Sequence, residues 1–441
     1  MKFSAKRLIL SITFFLFLVT GYSQETLTLE QAIALGLKNN YSILVAANNA
    51  SISKSNNFPG NAGMFPQIGL SASGSTATNK TKQVYANPNT PEVNKSGVHT
   101  DALAYGAALS WTLFDGFNMF VTKDKLKVFE DMGELNSRLA IETTVNSIID
   151  SYYDVVRQKE LLLNIREVIK IYEEKVSLAE RKYNFGSGSK LDFLQAKLDL
   201  NVQKTSLLKQ NAALANAKTT LNQVLARNED IDFIISDSIT LSYNPTFEDL
   251  KKTTMQQNTG LQLSEKSIRI SHLSLRQLEA QRYPTIGVGF GYGFTKTDNA
   301  AGFISLNQNV AIGPSFNVSY NLFNGSILNH NIRNAKLIID NSNFQYEDLK
   351  LQVSSNLLKA FRNFETSLDA LKLIEENYSL AKETIVVALE RYRLGASTAL
   401  DLTIAQQSYE NAQNAVILAK YDAKIAETEL MRLNGQLVKG R

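Results

Sequence analysis

The segment Tyr183-Asn-Phe-Gly-Ser-Gly-Ser-Lys-Leu-Asp192 returns later in the chain as Tyr392-Arg-Leu-Gly-Ala-Ser-Thr-Ala-Leu-Asp401. In both copies a long helical pattern runs into a glycine, Gly186 or Gly395, the residue that most readily takes the left-handed conformation ending a helix. Ser189 or Thr398 then offers a side-chain oxygen to cap a new helix, and Asp192 or Asp401, three residues on, completes a capping-box-like start. Each copy predicts a helical hairpin with a tight tip, with Tyr183 and Tyr392 closing the first arm.

The repetition extends outward from these turns. Leu29-Glu30-Gln31-Ala32-Ile33 begins a short helical pattern near the start, and Phe247-Glu248-Asp249-Leu250 begins its counterpart. Phe65-Pro66-Gln67-Ile68-Gly69 pairs with Tyr283-Pro284-Thr285-Ile286-Gly287, each an aromatic-proline step that stops a preceding helix. Past each proline the period becomes alternating. Ile286, Val288, Phe290, Tyr292 and Phe294 lie on one face, with Thr285 and four glycines on the other. Four strands are expected, over about 66–77, 103–113, 285–296 and 310–322, each close to the length that crosses a bilayer with tilt. Asn79 to Thr100, rich in Asn, Thr and Lys, reads as a mobile exposed loop, and Asp298 to Asn309 as its shorter twin. Leu-Phe-Asp-Gly after Trp111 and Leu-Phe-Asn-Gly after Tyr320 read as strand-to-helix turns.

Residues 118–184 and 327–394 lack proline and carry apolar columns spaced by seven: Ile148, Val155, Leu162, Ile169, Val176 and Tyr183 in one, Leu357, Phe364, Leu371, Tyr378, Ile385 and Tyr392 in the other. That is coiled-coil spacing, over helices of roughly 100 Å at about 1.5 Å per residue. The returning helices, from Leu191 and from Leu400, are alanine-rich and about half as long. Stretches 42–57 and 261–282 are available to cover the remaining length, and Asp230 to Asn244 reads as a small strand-containing belt. The organisation expected is a two-fold repeat, about 24–228 and 247–435.

Residues 1–23 have the pattern of a secretory signal: Lys2, Lys6 and Arg7, then a mostly apolar run from Leu8, then Gly21-Tyr22-Ser23. The leader's three basic residues account for most of the formal +4, so the remainder of the chain is nearly neutral and offers no patch for nucleic acid. With no cysteine there are no disulfides, thiolate metal sites or lipidated N-terminal Cys. His99, His272 and His330 are scattered, without metal-ligand spacing or a partnering nucleophile, so neither an enzyme nor a cofactor is expected.

Four strands cannot close a transmembrane barrel, and open edges in lipid leave backbone groups unpaired. The chain must therefore oligomerise, and three copies giving twelve strands is the simple even solution. Large apolar residues on one face would meet lipid, small and polar ones on the other would line water, and Phe65, Trp111, Phe114, Tyr283, Tyr320 and Phe323 cluster at the strand ends as membrane-interface aromatics.

The order of these features, twice over, resembles the TolC-type outer membrane efflux proteins, across essentially all of residues 24–435. The resemblance implies a mainly α protein with transmembrane β: four strands per chain in a trimeric twelve-stranded barrel in the outer membrane, continuous with a long α-helical coiled-coil barrel through the periplasm. It implies a homotrimer whose closed tip is engaged by a periplasmic membrane-fusion adaptor and an inner-membrane pump, for efflux or type I secretion. Asp192 and Asp401 fall on positions that carry the family's periplasmic aperture acids, where rings of carboxylates would attract cations. The tip turns, with Tyr183, Gly186, Ser189, Tyr392, Gly395 and Thr398, would meet the adaptor. A second aperture acid is replaced by Ile404, and a latching arginine by Ser397. The rival class is a secreted coiled-coil scaffold or adhesin, which has no need of four amphipathic strands with aromatic ends.

Overall fold

The computed structural model describes residues 25–301 and 304–437; the signal reading of residues 1–23 lies outside them. The elements in order are β1 (Glu25–Thr26), α1 (Leu29–Asn39), α2 (Tyr41–Asn56), β2 (Gln67–Gln83), β3 (Val93–Phe114), α3 (Asn118–Asn184), α4 (Lys190–Val224), β4 (Phe233–Ile234), α5 (Phe247–Gln257), α6 (Thr259–Ala280), β5 (Thr285–Asn299), β6 (Leu306–Ser319), α7 (Ile327–Arg393) and α8 (Ala399–Leu433). Helices α3 and α7 each run 67 residues and α4 and α8 each 35, so the long-arm, short-arm hairpin is built twice to the same measure. The chain forms two units, one of Ala47–Ser137 with Gly260–Leu349, the other of the segments around Arg138–Thr259 and Lys350 onward.

The first unit holds the sheet. Its strands are antiparallel in the order β2-β3-β5-β6, so the two hairpins join through β3 and β5, and β2 and β6 are its edges. The register puts Tyr105 opposite Phe294, Leu109 opposite Phe290 and Trp111 opposite Val288 on one face. Gly106 faces Gly293 and Ala108 faces Gly291 on the other.

The strands outrun their expected bounds. The β2·β3 ladder continues to Gln83 opposite Val93, so most of the expected loop from Asn79 to Thr100 is sheet and only 84–92 turns. Its polar composition is that of strands beyond the apolar zone, where Thr and Val still favour extended backbone. β5 likewise runs to Asn299 and β6 starts at Leu306, trimming the expected loop from Asp298 to Asn309. At the other end β6 stops at Ser319, short of Leu322, because its last partner is Thr285 and the preceding Pro284 has no N–H to extend the ladder.

Two matching corners lead from sheet to helix. Gly116 and Phe117 are both left-handed (φ 71° and 68°), as are Gly325 and Ser326 (φ 66° and 65°). Asp115 accepts the Met119 N–H at 3.2 Å and so caps α3. In this unit α2 and α6 flank the start of α3, as expected for 42–57 and 261–282. Leu273 of α6 packs on Val121 and Val128, and Gly133 of α3 lets Ala50 and Ser53 of α2 come within van der Waals contact.

In the second unit each short helix wedges against the long helix and returning helix of its own half. Ala32 and Ile33 of α1 pack with Ile148, Tyr152 and Val155 of α3 and Leu221 of α4. Leu250 of α5 packs with Leu357 and Phe364 of α7 and Leu430 of α8. The belt is a short parallel ladder of two residue pairs, β1 with β4. Side chains strap the irregular segment after it to the helices: Lys159 donates to the Ile235 carbonyl (2.5 Å), Tyr152 to Asp237, and Glu427 accepts the Tyr243 N–H (2.9 Å). The seven-residue column of α7 is buried from Leu357 to Tyr392 except at Tyr378, which is half-buried, whereas that of α3 rotates outward and Tyr172 and Ala179 take over near the tip.

Two outcomes follow from this packing. A Cβ on Gly116 would meet the Ala280 carbonyl at 2.2 Å, whereas one on Gly325 meets nothing within 4 Å. Gly325→Ala should cost about 1–2 kcal/mol for the left-handed backbone alone, and Gly116→Ala about 1–3 kcal/mol more, read from thermal loss of sheet signal in detergent. Asp150 is the second case: burial first, then the charge of Glu429, pushes its carboxyl up to about 6. Against an unfolded value of about 3.9, the folded state holds the extra proton between about pH 4 and 6, so stability falls as pH rises through that window. Asp150→Asn should therefore stabilise by roughly 2 kcal/mol at pH 8 and by little near pH 4, measured as the shift in thermal unfolding at the two pH values.

Candidate functional site

The hairpin tips end as their glycines require. Gly186 (φ 75°) and Gly395 (φ 77°) are left-handed. Around them Ser187 N–H donates to the Lys182 carbonyl (2.9 Å) and Ala396 N–H to the Arg391 carbonyl (2.8 Å), with inner bonds from Gly186 to Tyr183 and from Gly395 to Tyr392. This is the Schellman arrangement, in which the last carbonyls of a helix are satisfied by the reversing chain.

The two restarts differ. Thr398 and Asp401 form a full capping box: Asp401 Oδ2 accepts the Thr398 N–H at 2.9 Å and its hydroxyl at 2.8 Å, while Thr398 Oγ1 accepts the Asp401 N–H at 3.1 Å. The backbone donor of Thr398, then its hydroxyl, hold the Asp401 carboxyl below the ordinary carboxylate range, and Arg391 adds to this. In the first copy Ser189 Oγ turns instead to the Leu191 N–H (3.1 Å), so the expected box with Asp192 does not form. Serine lacks the β-methyl that restricts the rotamers of Thr398. Asp192 stays outside the cap, on the first turn of α4.

Tyr392 is 4% exposed and packs with Leu178, Ile385, Leu402 and Tyr409, whereas Tyr183 is 40% exposed and stacks on Phe193 at 6.3 Å. The ammonium of Lys182 lies 4.0 Å from the Tyr392 ring centre and donates to the Tyr392 carbonyl, tying the end of α3 to that of α7. Burial, then the negative charge of Asp192, raises the Tyr392 hydroxyl above its ordinary value. Ser397 lines a groove of about 480 Å³ with Arg391 and Asp401, and its Oγ is buried without a hydrogen bond among the described residues. Ile404 is exposed. Lys182 is the residue the sequence did not disclose; its only signal is a cation one position before the recurring tyrosine.

In the sheet unit, Phe65, Trp111, Phe114, Tyr283, Tyr320 and Phe323 all gather at the end where strands meet helices. Trp111 Nε1 donates to the Met64 carbonyl (3.0 Å). Three further aromatics join them: Phe58 edge-on to Phe65 (5.3 Å), Phe117 edge-on to Phe114 (5.3 Å), and Phe120 beside Phe117. The opposite limit of the apolar face is a charged row, Asp101 opposite Asp298, with Lys296 paired to Asp298 at 2.8 Å. Between Leu113 and Leu103 the apolar face spans the nine to eleven residues that a tilted strand needs to cross a hydrocarbon layer. Among the described residues no helix is long and apolar enough to cross a membrane, and no group of His, Cys, Asp and Glu is arranged to hold a metal ion.

Known proteins resemble this chain in sequence and in fold. The family described as outer membrane efflux protein matches residues 32–227 and 252–436. The toluene efflux pump outer membrane protein TtgC of Pseudomonas putida is 23% identical over 420 residues, which is 92% of this chain and 82% of that one. Among solved structures, the Campylobacter jejuni CmeC outer membrane channel aligns with a TM-score of 0.75 at 18% identity, over 92% of this chain and 85% of its own. The outer membrane protein VceC from Vibrio cholerae aligns with a TM-score of 0.73 at 18% identity, over 92% and 96%. The likeness of the structures establishes the fold, and the two matched blocks take in both halves of the chain, which belongs to the outer membrane efflux protein family.

Proposed function

We propose that this protein is the outer membrane exit duct of a tripartite efflux or type I secretion system, a conduit rather than an enzyme. The observation that carries the reading is the open sheet: four strands with one apolar face and two unpaired edges, β2 and β6. In hydrocarbon each unsatisfied backbone group costs several kcal/mol, so the β6 edge of one protomer must find the β2 edge of the next. Three protomers give a closed barrel of twelve strands, with the apolar face to lipid and the glycine, alanine and serine face to water.

The helices supply the periplasmic part. Exposed apolar side chains persist on α7 at Leu373, Leu380 and Val387, a seven-residue spacing suited to a neighbouring copy. At the tip, Asp192 and Asp401 from three protomers would form carboxylate rings that draw cations and repel anions. The turns with Tyr183, Gly186, Ser189, Tyr392, Gly395 and Thr398 are the docking edge for a membrane-fusion adaptor, which links the duct to an inner-membrane pump. Lys182 and Tyr392 act as a bolt between the ends of α3 and α7, in place of a latch through Ser397.

Extracted with the outer membrane and held in detergent, the protein should migrate as a trimer and open pores in planar bilayers. In the Asp192→Ala/Asp401→Ala variant, block by multivalent cations should weaken by about tenfold or more; currents indistinguishable from wild type would confine both residues to helix starts. Gly186→Val/Gly395→Val should abolish export in cells while leaving the trimer in the membrane, since a β-branched residue resists positive φ. Full export by that variant would count against the tip as docking edge.

A further inference from the structure

Lys175 of α3 is buried, its side chain 3% exposed, in the helical wall near the tip. Its ammonium donates to Asp199 Oδ2 of α4 at 2.9 Å and to Thr403 Oγ1 of α8 at 2.6 Å. Both acceptors are themselves held in place. Gln195 donates to the other Asp199 oxygen at 2.8 Å, and the Thr403 hydroxyl donates to the Ala399 carbonyl at 2.9 Å. One cation therefore joins three helices.

The two acceptors are placed with respect to the tip acids. Asp199 lies seven residues beyond Asp192 on α4, hence on the same face two turns along. Thr403 lies two residues beyond Asp401, within the opening turns of α8. Helix α3 and helix α8 run antiparallel in a fixed register, with the Arg157 guanidinium over the Tyr421 ring at 4.2 Å and Asn164 donating to Asn414 at 2.7 Å. Lys175 opposite Thr403 continues that register towards the tip. Taking an ammonium out of water is costly, and an apolar side chain of similar length would fill the same space. What the apolar side chain lacks is direction: it does not set the rotation of α4 and α8 about their own axes.

We infer that Lys175 is a positioning residue for the aperture, fixing through Asp199 and Thr403 the rotation of the two acid-bearing helices and so where the Asp192 and Asp401 carboxylates point. The inference rests on the proposed role of those two acids. It separates the residues that carry charge at the opening from the one that aims them.

The test is block of the reconstituted trimer by lanthanum ion in planar bilayers, alongside thermal unfolding and trimer content. The charge-free pair Lys175→Met/Asp199→Leu should raise the half-blocking concentration by about tenfold with trimer content and unfolding temperature close to wild type, whereas Lys175→Met alone, which strands the Asp199 carboxylate, should raise it as much and also lower the unfolding temperature. Lys175→Arg, which keeps a cation able to bridge both acceptors, should restore block to within about threefold of wild type. Thr403→Val, which deletes one acceptor and leaves the Lys175–Asp199 ion pair in place, should give a smaller shift in the same direction. Unaltered block in the pair and in Thr403→Val, with Asp192→Asn/Asp401→Asn clearly affected, overturns the role of Lys175 alone. Unaltered block in Asp192→Asn/Asp401→Asn overturns the aperture reading, and this inference with it.

Discussion

A strand immersed in hydrocarbon can place its N–H and C=O groups only on another strand, and this chain supplies four strands where closure needs at least eight. That shortfall governs the rest of the structure. It leaves the sheet of one chain with two open edges, β2 and β6, the edges that the proposed trimer would pair. It also explains why the two halves of the chain meet in the sheet at β3 and β5, so that each copy brings a continuous four-strand panel rather than two separate hairpins.

The helices answer a different requirement. A wall made of long helices is held by side chains at a constant interval, and the buried columns from Ile148 and from Leu357 meet that need in both halves. Where the returning helices α4 and α8 end, the short helices α1 and α5 seal the wall with Ala32, Ile33 and Leu250. The irregular stretch after β4 buries Ile235 in the core around Ile148 and lays Tyr243 against the core around Leu250, and polar side chains of α3 and α8 tie its backbone down through Tyr152, Lys159 and Glu427.

Much of this was legible in the chain because it is written twice. The tip glycines, the caps and the bounds of α3 and α7 each follow from a local signal with a single physical solution. The strand ends at the far side were not, since composition marks Asn79 to Thr100 as polar without saying whether its backbone is paired. The inequality of the tips was also hidden: Ser189 and Thr398 are interchangeable as caps in sequence, yet only Thr398 engages its aspartate. Lys175 sits in the run Glu173-Glu174-Lys175, where nothing but the folded wall distinguishes a buried cation from its solvated neighbours.

The unequal hairpins have a consequence at the cell surface. The β2·β3 ladder continues to Gln83 and Val93, past the last β3·β5 pair at Thr100 and Asn299, whereas β5·β6 closes soon after the charged row. In the proposed trimer, three copies around one axis would therefore give the mouth a crenellated rim, with tall merlons alternating with low gaps. Bulky molecules arriving from outside would meet the merlons first, while cargo leaving the lumen could spill sideways through the gaps.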